Sequence, residues 1–391
     1  MSPATDVGGG RRSIVPLLVA TVFLDLVGFG IVVPQLPLAA ARFEERGLIV
    51  GLLVATDSLL SFFLAPQWGR LSDRIGRRPV ILVGLGASAV SYAMFGLAPS
   101  LAVLFLSRVV SGGLGATVNV SQAFLADVTP GARRSQAMGF VGAAFGVGFT
   151  IGPIIGGLAA RSSAAAPGFV AAAICGVNFL LALAFLPESR ERATREWSRR
   201  GSVPRQAALI AFGVSLAFTT VYVVFQRFAR DELGLSRSAI SYCFAVLGLV
   251  TAVVQGRVVG RLAPRVGERR LITWGAMLVV VGLLTILGSA RVPAAAAIAT
   301  LVAGVALLSA GYSLVGPCVT GVVSRMTSGD EQGRALGALQ SVGTGARITG
   351  PPLLGFLSER GGFELAFGTA TAAALAAAVV GRRWKEPTAA R

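Results

Sequence analysis

The sequence predicts an all-α membrane protein with twelve transmembrane helices, and three observations carry that expectation. Apolar residues make up 54% of the 391 positions and charged residues only 14%. The apolar residues gather in twelve runs, each near the roughly 20 residues that cross a bilayer as a helix. The basic residues fall in the short segments between those runs, mostly on alternate sides. A soluble chain of this length needs far more polar surface. The mean hydropathy of +0.74 points the same way.

The runs are 13–36, 48–68, 79–98, 100–122, 136–160, 166–187, 206–227, 238–259, 270–289, 293–316, 335–357 and 363–381. The first has Arg11 and Arg12 ahead of it and Ala39 to Ala41 behind it, as a secretory leader would. Its length, the mid-run Asp25 and the breaks at Pro34 and Pro37 argue against cleavage. Of the 35 Lys and Arg, twenty-five fall on the side of the two chain ends, eight on the other, and Arg108 and Arg347 lie inside runs. By the positive-inside rule both termini are expected in the cytoplasm.

The longest connection, 188–204, is rich in Arg and Glu and divides the runs six and six. It reads as a cytoplasmic linker between an N-terminal bundle, 1–187, and a C-terminal bundle, 205–391. A net charge of +17 could suggest nucleic acid. The basic residues are spread over short loops rather than over one soluble face, which excludes that class. Cys175, Cys243 and Cys318 stand alone in apolar runs and read as small core residues. The sequence has no histidine, so the commonest general base and metal ligand is missing. No metal and no cofactor is expected, and no enzymatic nucleophile with its base is visible.

Between the second and third runs lies Gly69-Arg70-Leu71-Ser72-Asp73-Arg74-Ile75-Gly76-Arg77-Arg78-Pro79. It is expected as a tight loop, with Gly69 and Gly76 permitting the turn. Pro79 suits the first turn of the next helix. The blander reading is a solvated turn that only sets orientation, but that requires neither Asp73 nor two placed glycines. The segment Gly256–Arg270 echoes it in the second half, with Gly260, Arg261, Leu262, Arg265, Gly267, Arg269 and Arg270 in corresponding places. Pro264 replaces the aspartate, so the second half keeps the turn and loses that acid.

Four ionisable groups lie well inside runs: Asp25, Asp57, Arg108 and Arg347. A charge at mid-membrane costs several kcal/mol on insertion scales, so each should face a cavity or a partner. Asp25 lies about 18 Å into its run at 1.5 Å per residue, and Arg108 can reach a similar depth. Asp25, Asp57 and Arg108 are therefore the expected proton-coupling residues, since a carboxylate's proton affinity shifts with hydration and a nearby guanidinium. A static buried ion pair is the alternative for the first and last, and a solvated acid for Asp57.

In the fifth run Gly148, Gly152 and Gly156 recur every fourth residue, and Pro153 and Gly157 interleave. That spacing lays bare patches along one helix face for backbone-to-backbone packing, with a kink at the proline. These residues read as a hinge or seal between packed helices. Phe29, Asn119, Gln122, Phe145, Tyr222, Phe225, Gln226, Tyr312, Ser313, Gln340 and Arg347 are the expected substrate-binding groups, polar or aromatic residues in otherwise apolar runs. About half of such a set should face a cavity and the rest pack between helices.

Together these residues resemble the Major Facilitator Superfamily, in particular its twelve-helix drug/proton antiporters. Gly69–Pro79 resembles the signature loop between helices 2 and 3. Leu104–Gly113 resembles the helix 4 motif with its buried arginine, and Gly148–Gly157 the antiporter motif of helix 5. Phe23–Pro37 and Ala126–Pro130 resemble segments of tetracycline efflux pumps. An acid at Asp57 departs from the aromatic or apolar residue usual there and hints at a different substrate or a second proton site.

The resemblance implies two six-helix bundles related by a pseudo-two-fold axis and opening alternately to each side. It makes Gly69, Asp73, Arg74, Gly76, Arg77 and Arg78, with Gly148, Gly152, Pro153, Gly156 and Gly157, the expected conformational gate, with Asp73 near the N-terminus of helix 11, where a carboxylate is favoured. It implies a monomer in the bacterial cytoplasmic (inner) membrane, with a small-molecule substrate, protons and membrane lipids as partners and no nucleic acid. The function implied is export of a small hydrophobic or cationic molecule in exchange for protons. The alternatives are a proton-coupled nutrient symporter of the same superfamily and a non-transporting membrane scaffold.

Overall fold

The computed structural model describes residues 8–44, 46–129, 131–188, 203–327 and 329–384. Most of the expected linker 188–204 lies outside them. Among the described residues the chain is helical throughout, without strands, as its apolar runs require. In order the helices are α1 Gly8–Val32, α2 Leu36–Ala40, α3 Gly47–Ile75, α4 Arg77–Leu97, α5 Leu101–Leu114, α6 Thr117–Val128, α7 Gly131–Ala159 and α8 Ala166–Phe185. The second half follows with α9 Arg205–Phe218, α10 Thr220–Asp231, α11 Arg237–Val253, α12 Val259–Val266, α13 Glu268–Gly288, α14 Ala294–Met326 and α15 Gly329–Arg383.

Eleven helical stretches are long and apolar enough to span a bilayer. The last of them, Arg334–Arg383, has non-helical backbone at Gly361 and Gly362 and so holds two successive spans. The number of spans is therefore about twelve. Four spans are broken within. Val33–Gln35 tightens to a 3-10 turn between α1 and α2, where Pro34 removes a donor. Gly115 and Ala116 separate α5 from α6, Thr219 separates α9 from α10, and Val254–Val258 forms a π segment between α11 and α12. Such irregular backbone at membrane depth persists only where protein or a polar cavity covers it.

The block 69–79 is not a loop. Helix α3 runs on to Ile75 and α4 begins at Arg77, so Gly76 alone separates them, at φ +104°. A Cβ there would strike the Glu188 carboxylate and the backbone would be strained, which makes glycine a requirement. Gly267, at φ +87°, likewise stands alone between α12 and α13, with no atom within 4 Å of an added Cβ.

Contacts divide the chain into two compact units, Met1–Val33 with Leu59–Arg195, and Pro34–Ser58 with Glu196–Arg391. The core of the first unit is built by Leu18, Val22 and Leu26 of α1, Ile81 and Leu85 of α4, Val120 and Phe124 of α6, and Val141 of α7. Helix α7 lies along α1 through its glycines. A Cβ on Gly148 would sit 3.0 Å from Leu26 Cβ, one on Gly152 2.8 Å from the Gly30 backbone, and one on Gly156 2.8 Å from the Ile31 carbonyl oxygen. The bare face expected in the fifth run thus packs on the first.

The second unit includes the chain segment Pro34–Ser58. Gln35 Nε2 donates to Ser241 Oγ at 2.7 Å, and Arg237 Nη2 to the Leu38 carbonyl at 3.1 Å. The Leu48 amide, in the first turn of α3, donates to Glu359 Oε1 at 2.7 Å, a carboxylate cap on a helix N-terminus. Gly47 and Gly51 face the Gly355 and Pro351 backbone so closely that neither has room for a Cβ. In the same unit α13 and α14 meet at Gly275 and Gly311 and again at Gly282 and Gly304.

Candidate functional site

In the first unit the candidate groups gather around α1. Asp25 is half-buried there, in a span whose other residues from Phe23 to Ile31 are apolar or glycine. One turn earlier the Thr21 carbonyl accepts a hydrogen bond from Asn178 Nδ2 of α8 at 2.9 Å. One turn later Gly28 lets α1 close on Cys175 of α8 and on the Tyr92 ring of α4, whose Cε2 would lie 3.1 Å from an added Cβ. Tyr92 then leads on to Arg108, whose guanidinium carbon stands 5.9 Å from the centre of its ring.

Arg108, only 2% exposed, is among the largest fully buried side chains. Its Nη2 donates to Ser91 Oγ at 3.0 Å and its Nε to Ser107 Oγ at 3.3 Å. Ser91 Oγ in turn donates to the Ser107 carbonyl at 2.8 Å. Hydroxyl oxygens and an aromatic face thus offset part of the cost of a buried cation without neutralising it. Arg108 is thus held by two hydroxyls and an aromatic ring in the same unit as Asp25. Ser91, Tyr92 and Asn178 are not among the residues expected from the sequence, whereas Cys175 is the small buried residue expected there. The polar Ser91-Tyr92 pair in an apolar run was the available signal.

Phe29 meets Phe149 edge-on at 5.7 Å between ring centres. Asn119 and Phe145 are exposed and Gln122 is half-buried. Asn119 and Gln122 follow directly on the break at Gly115 and Ala116.

The candidate residues of the second unit fall into two environments. Tyr312 of α14 stacks on Phe218 of α9 at 4.0 Å, and Tyr222 of α10 meets the same ring edge-on at 6.0 Å. Phe225, Gln226 and Ser313 are buried. Phe225 packs edge-on against Phe244, and Gln226 donates back to the Tyr222 carbonyl at 3.4 Å. Ser313 donates to Thr251 Oγ1 at 3.1 Å, and Thr251 shares a 3.0 Å hydrogen bond with Ser309, one turn before the π segment. Gln340 and Arg347 are exposed on α15, with Arg347 Nη2 donating to Thr344 Oγ1 at 3.1 Å. Asp57 is half-buried on the part of α3 that belongs to this unit.

The gate residues of α3 and α4 form a charge network within the first unit. Arg77, whose side chain is 8% exposed, pairs with Asp73 at 2.6 Å and with Asp127, at the end of α6, at 3.0 Å. It also donates to Ser72 Oγ at 2.6 Å, while Ser72 Oγ donates to the Gly69 carbonyl at 2.8 Å. Arg78 Nη2 donates to the Leu183 carbonyl at 2.7 Å, and Arg74 is exposed. Arg77 therefore ties the end of α3 to the end of α6.

The second unit holds the same arrangement with the charges exchanged. Glu268, the first residue after Gly267, makes a two-pronged pair with Arg325 near the end of α14. Gly321, one turn before Arg325, leaves room for the carboxylate. The second-half turn lost its aspartate and yet kept an ion pair to the corresponding helix end. This one is more open, for the Arg325 side chain is 59% exposed.

The family described as the Major Facilitator Superfamily matches residues 18–207 and 207–391. The tetracycline resistance protein of class C from Escherichia coli is 33% identical over 351 residues, which is 86% of this chain and 87% of that one. Multidrug resistance protein 2 of Bacillus subtilis is 27% identical over 369 residues, 89% of this chain and 90% of that one. Among solved structures, a bacterial homologue of the human lysosomal transporter Spinster, inward-facing and occupied, superposes with a TM-score of 0.79. It is 14% identical and covers 96% of both chains, a likeness of fold. The human organic anion transporter TETRAN superposes at 0.70 with 24% identity, over 95% of this chain and 99% of that one.

Proposed function

We infer, for a chain that belongs to the Major Facilitator Superfamily and is a multi-pass membrane transporter rather than an enzyme, that it exports a small hydrophobic or cationic molecule in exchange for protons. The observation that carries export is the identity to resistance proteins over most of both chains. Drug-like cargo suits the aromatic candidates Phe29, Tyr222 and Tyr312, which offer wide apolar faces and few fixed polar groups.

The proton step is assigned to Asp25, with Arg108 as the fixed cation that sets its proton affinity. A carboxylate in an apolar span takes up or releases its proton as water and charged groups move towards it or away. Small movements of α1 against α4 and α8 then suffice to load and release a proton. Gly28, Cys175 and Tyr92 form the contact along which such a movement would run. Asp57 is assigned to cation preference. Helix α7 and the Arg77 network would act as the gate in a cycle of alternating access. The protein is placed as a monomer in the bacterial inner membrane with both termini in the cytoplasm.

The test is Asp25→Asn in proteoliposomes under an imposed pH gradient, with tetracycline and ethidium as cargo. Uphill transport should fall to background while the purified protein keeps its monodisperse elution. Undiminished uphill transport by the variant would remove Asp25 from the proton path.

A further inference from the structure

Where α13 begins and α15 ends, an open cavity of about 900 Å³ is lined by Val266, Gly267, Arg269, Arg270, Thr273, Trp274 and Arg382. The two helix ends are held together by Gly381, where an added Cβ would lie 3.1 Å from Ile272 and 3.3 Å from Thr273 Oγ1. Arg269 Nη2 donates to the Arg382 carbonyl, which fixes one wall of the cavity to the other. Among the described residues no ion pair involves Arg269, Arg270 or Arg382. The neighbouring acid, Glu268, is engaged by Arg325 instead. Three guanidinium groups therefore share one cavity, and among the described residues no carboxylate pairs with them.

Like charges gathered in a cavity repel one another, and an anion between them relieves that repulsion. Guanidinium groups match the oxygens of a phosphate ester, which accept two parallel hydrogen bonds from each fork. Two features point to a lipid rather than a soluble phosphate. The cavity lies at the ends of two spanning helices, Glu268–Arg291 and Arg334–Arg383, which is the level of the headgroups. Trp274, 52% exposed, lines it nearly two turns into α13, where an indole suits the boundary between acyl chains and water. Basic pockets between spanning helices are suited to anionic headgroups.

We propose that this cavity is a binding site for the phosphate headgroup of an anionic phospholipid, held by Arg269, Arg270 and Arg382 with its chains passing Trp274. The site shares no residue with the groups assigned to substrate and proton.

Native mass spectrometry of the full chain in detergent tests it, with cardiolipin, phosphatidylglycerol and phosphatidylcholine added in equal amounts. The wild type should retain the two anionic lipids several-fold more than phosphatidylcholine. Arg269→Gln/Arg270→Gln/Arg382→Gln should bring that ratio close to one, while Arg205→Gln/Arg257→Gln/Arg261→Gln, which removes as many exposed charges elsewhere, should leave it unchanged. Equal loss in both triple variants would mean general charge attraction and overturn the site. On the wild type alone, the preference should weaken with added sodium chloride and survive millimolar inorganic phosphate. Retention of inorganic phosphate without any preference among lipids would overturn the lipid assignment.

Discussion

At the scale of single residues, the spacing between α1 and α7 is set by what is absent from Gly148, Gly152 and Gly156. A Cβ on Gly152 would meet the Gly30 backbone and the Val27 carbonyl at 2.8 Å, and backbone cannot yield as a side-chain end can. Gly142, on the same helix, would have nothing within 4 Å of an added Cβ. Gly152→Val should therefore force α1 and α7 apart, at a cost of about 1–3 kcal/mol or more, and lower the apparent melting temperature in detergent. Gly142→Ala should melt like the wild type. Similar melting of the two variants would mean that the close approach at Gly152 contributes nothing to stability.

At the scale of elements, each unit ties the helix after a left-handed glycine to the end of the following span. In the first unit the cation sits at the start of α4 and the acid at the end of α6; in the second the acid starts α13 and the cation is at the end of α14. The two pairs are not equal in strength. Arg77 is nearly buried, so Asp127→Asn leaves a guanidinium with one carboxylate fewer and little water to replace it, costing roughly 1–3 kcal/mol. Arg325 is mostly in solvent, so Glu268→Gln should cost at most about 1 kcal/mol. Thermal unfolding in detergent should rank Asp127→Asn clearly below Glu268→Gln. The reverse order would place the firmer latch in the second half.

At the scale of the whole molecule, the segment Pro34–Ser58 is N-terminal in sequence but packs on residues of the second half. Gln35, Leu48, Gly47 and Gly51 find their neighbours at Ser241, Glu359, Gly355 and Pro351. Cutting the chain between 187 and 205 should thus yield two fragments that depend on each other. Fragment 1–187 expressed alone should be degraded, because the glycine face of α3 and the amide of Leu48 lose what covers them. Co-expression with 205–391 should rescue it and the two should copurify. Stable accumulation of 1–187 by itself would show that this packing is dispensable.

The sequence by itself determined the class, the spans to within several residues and the charged turns, because insertion into a bilayer depends on local apolar length and flanking charge. It also singled out Asp25, Arg108 and the α7 glycines, since a charge or a bare face stands out against an apolar run. The tertiary structure decided partners. Asp127 lies 50 positions from Arg77, and Ser91 17 from Arg108. The exchange of charge between Arg77–Asp127 and Glu268–Arg325 was hidden because a missing aspartate in the turn reads as a loss until α14 brings Arg325 to it. The breaks at Thr219 and Val254–Val258 were hidden as well, since no proline marks them. Hydropathy records how a helix meets lipid; which side chains meet one another depends on how the helices pack, and adjacent positions do not carry that information.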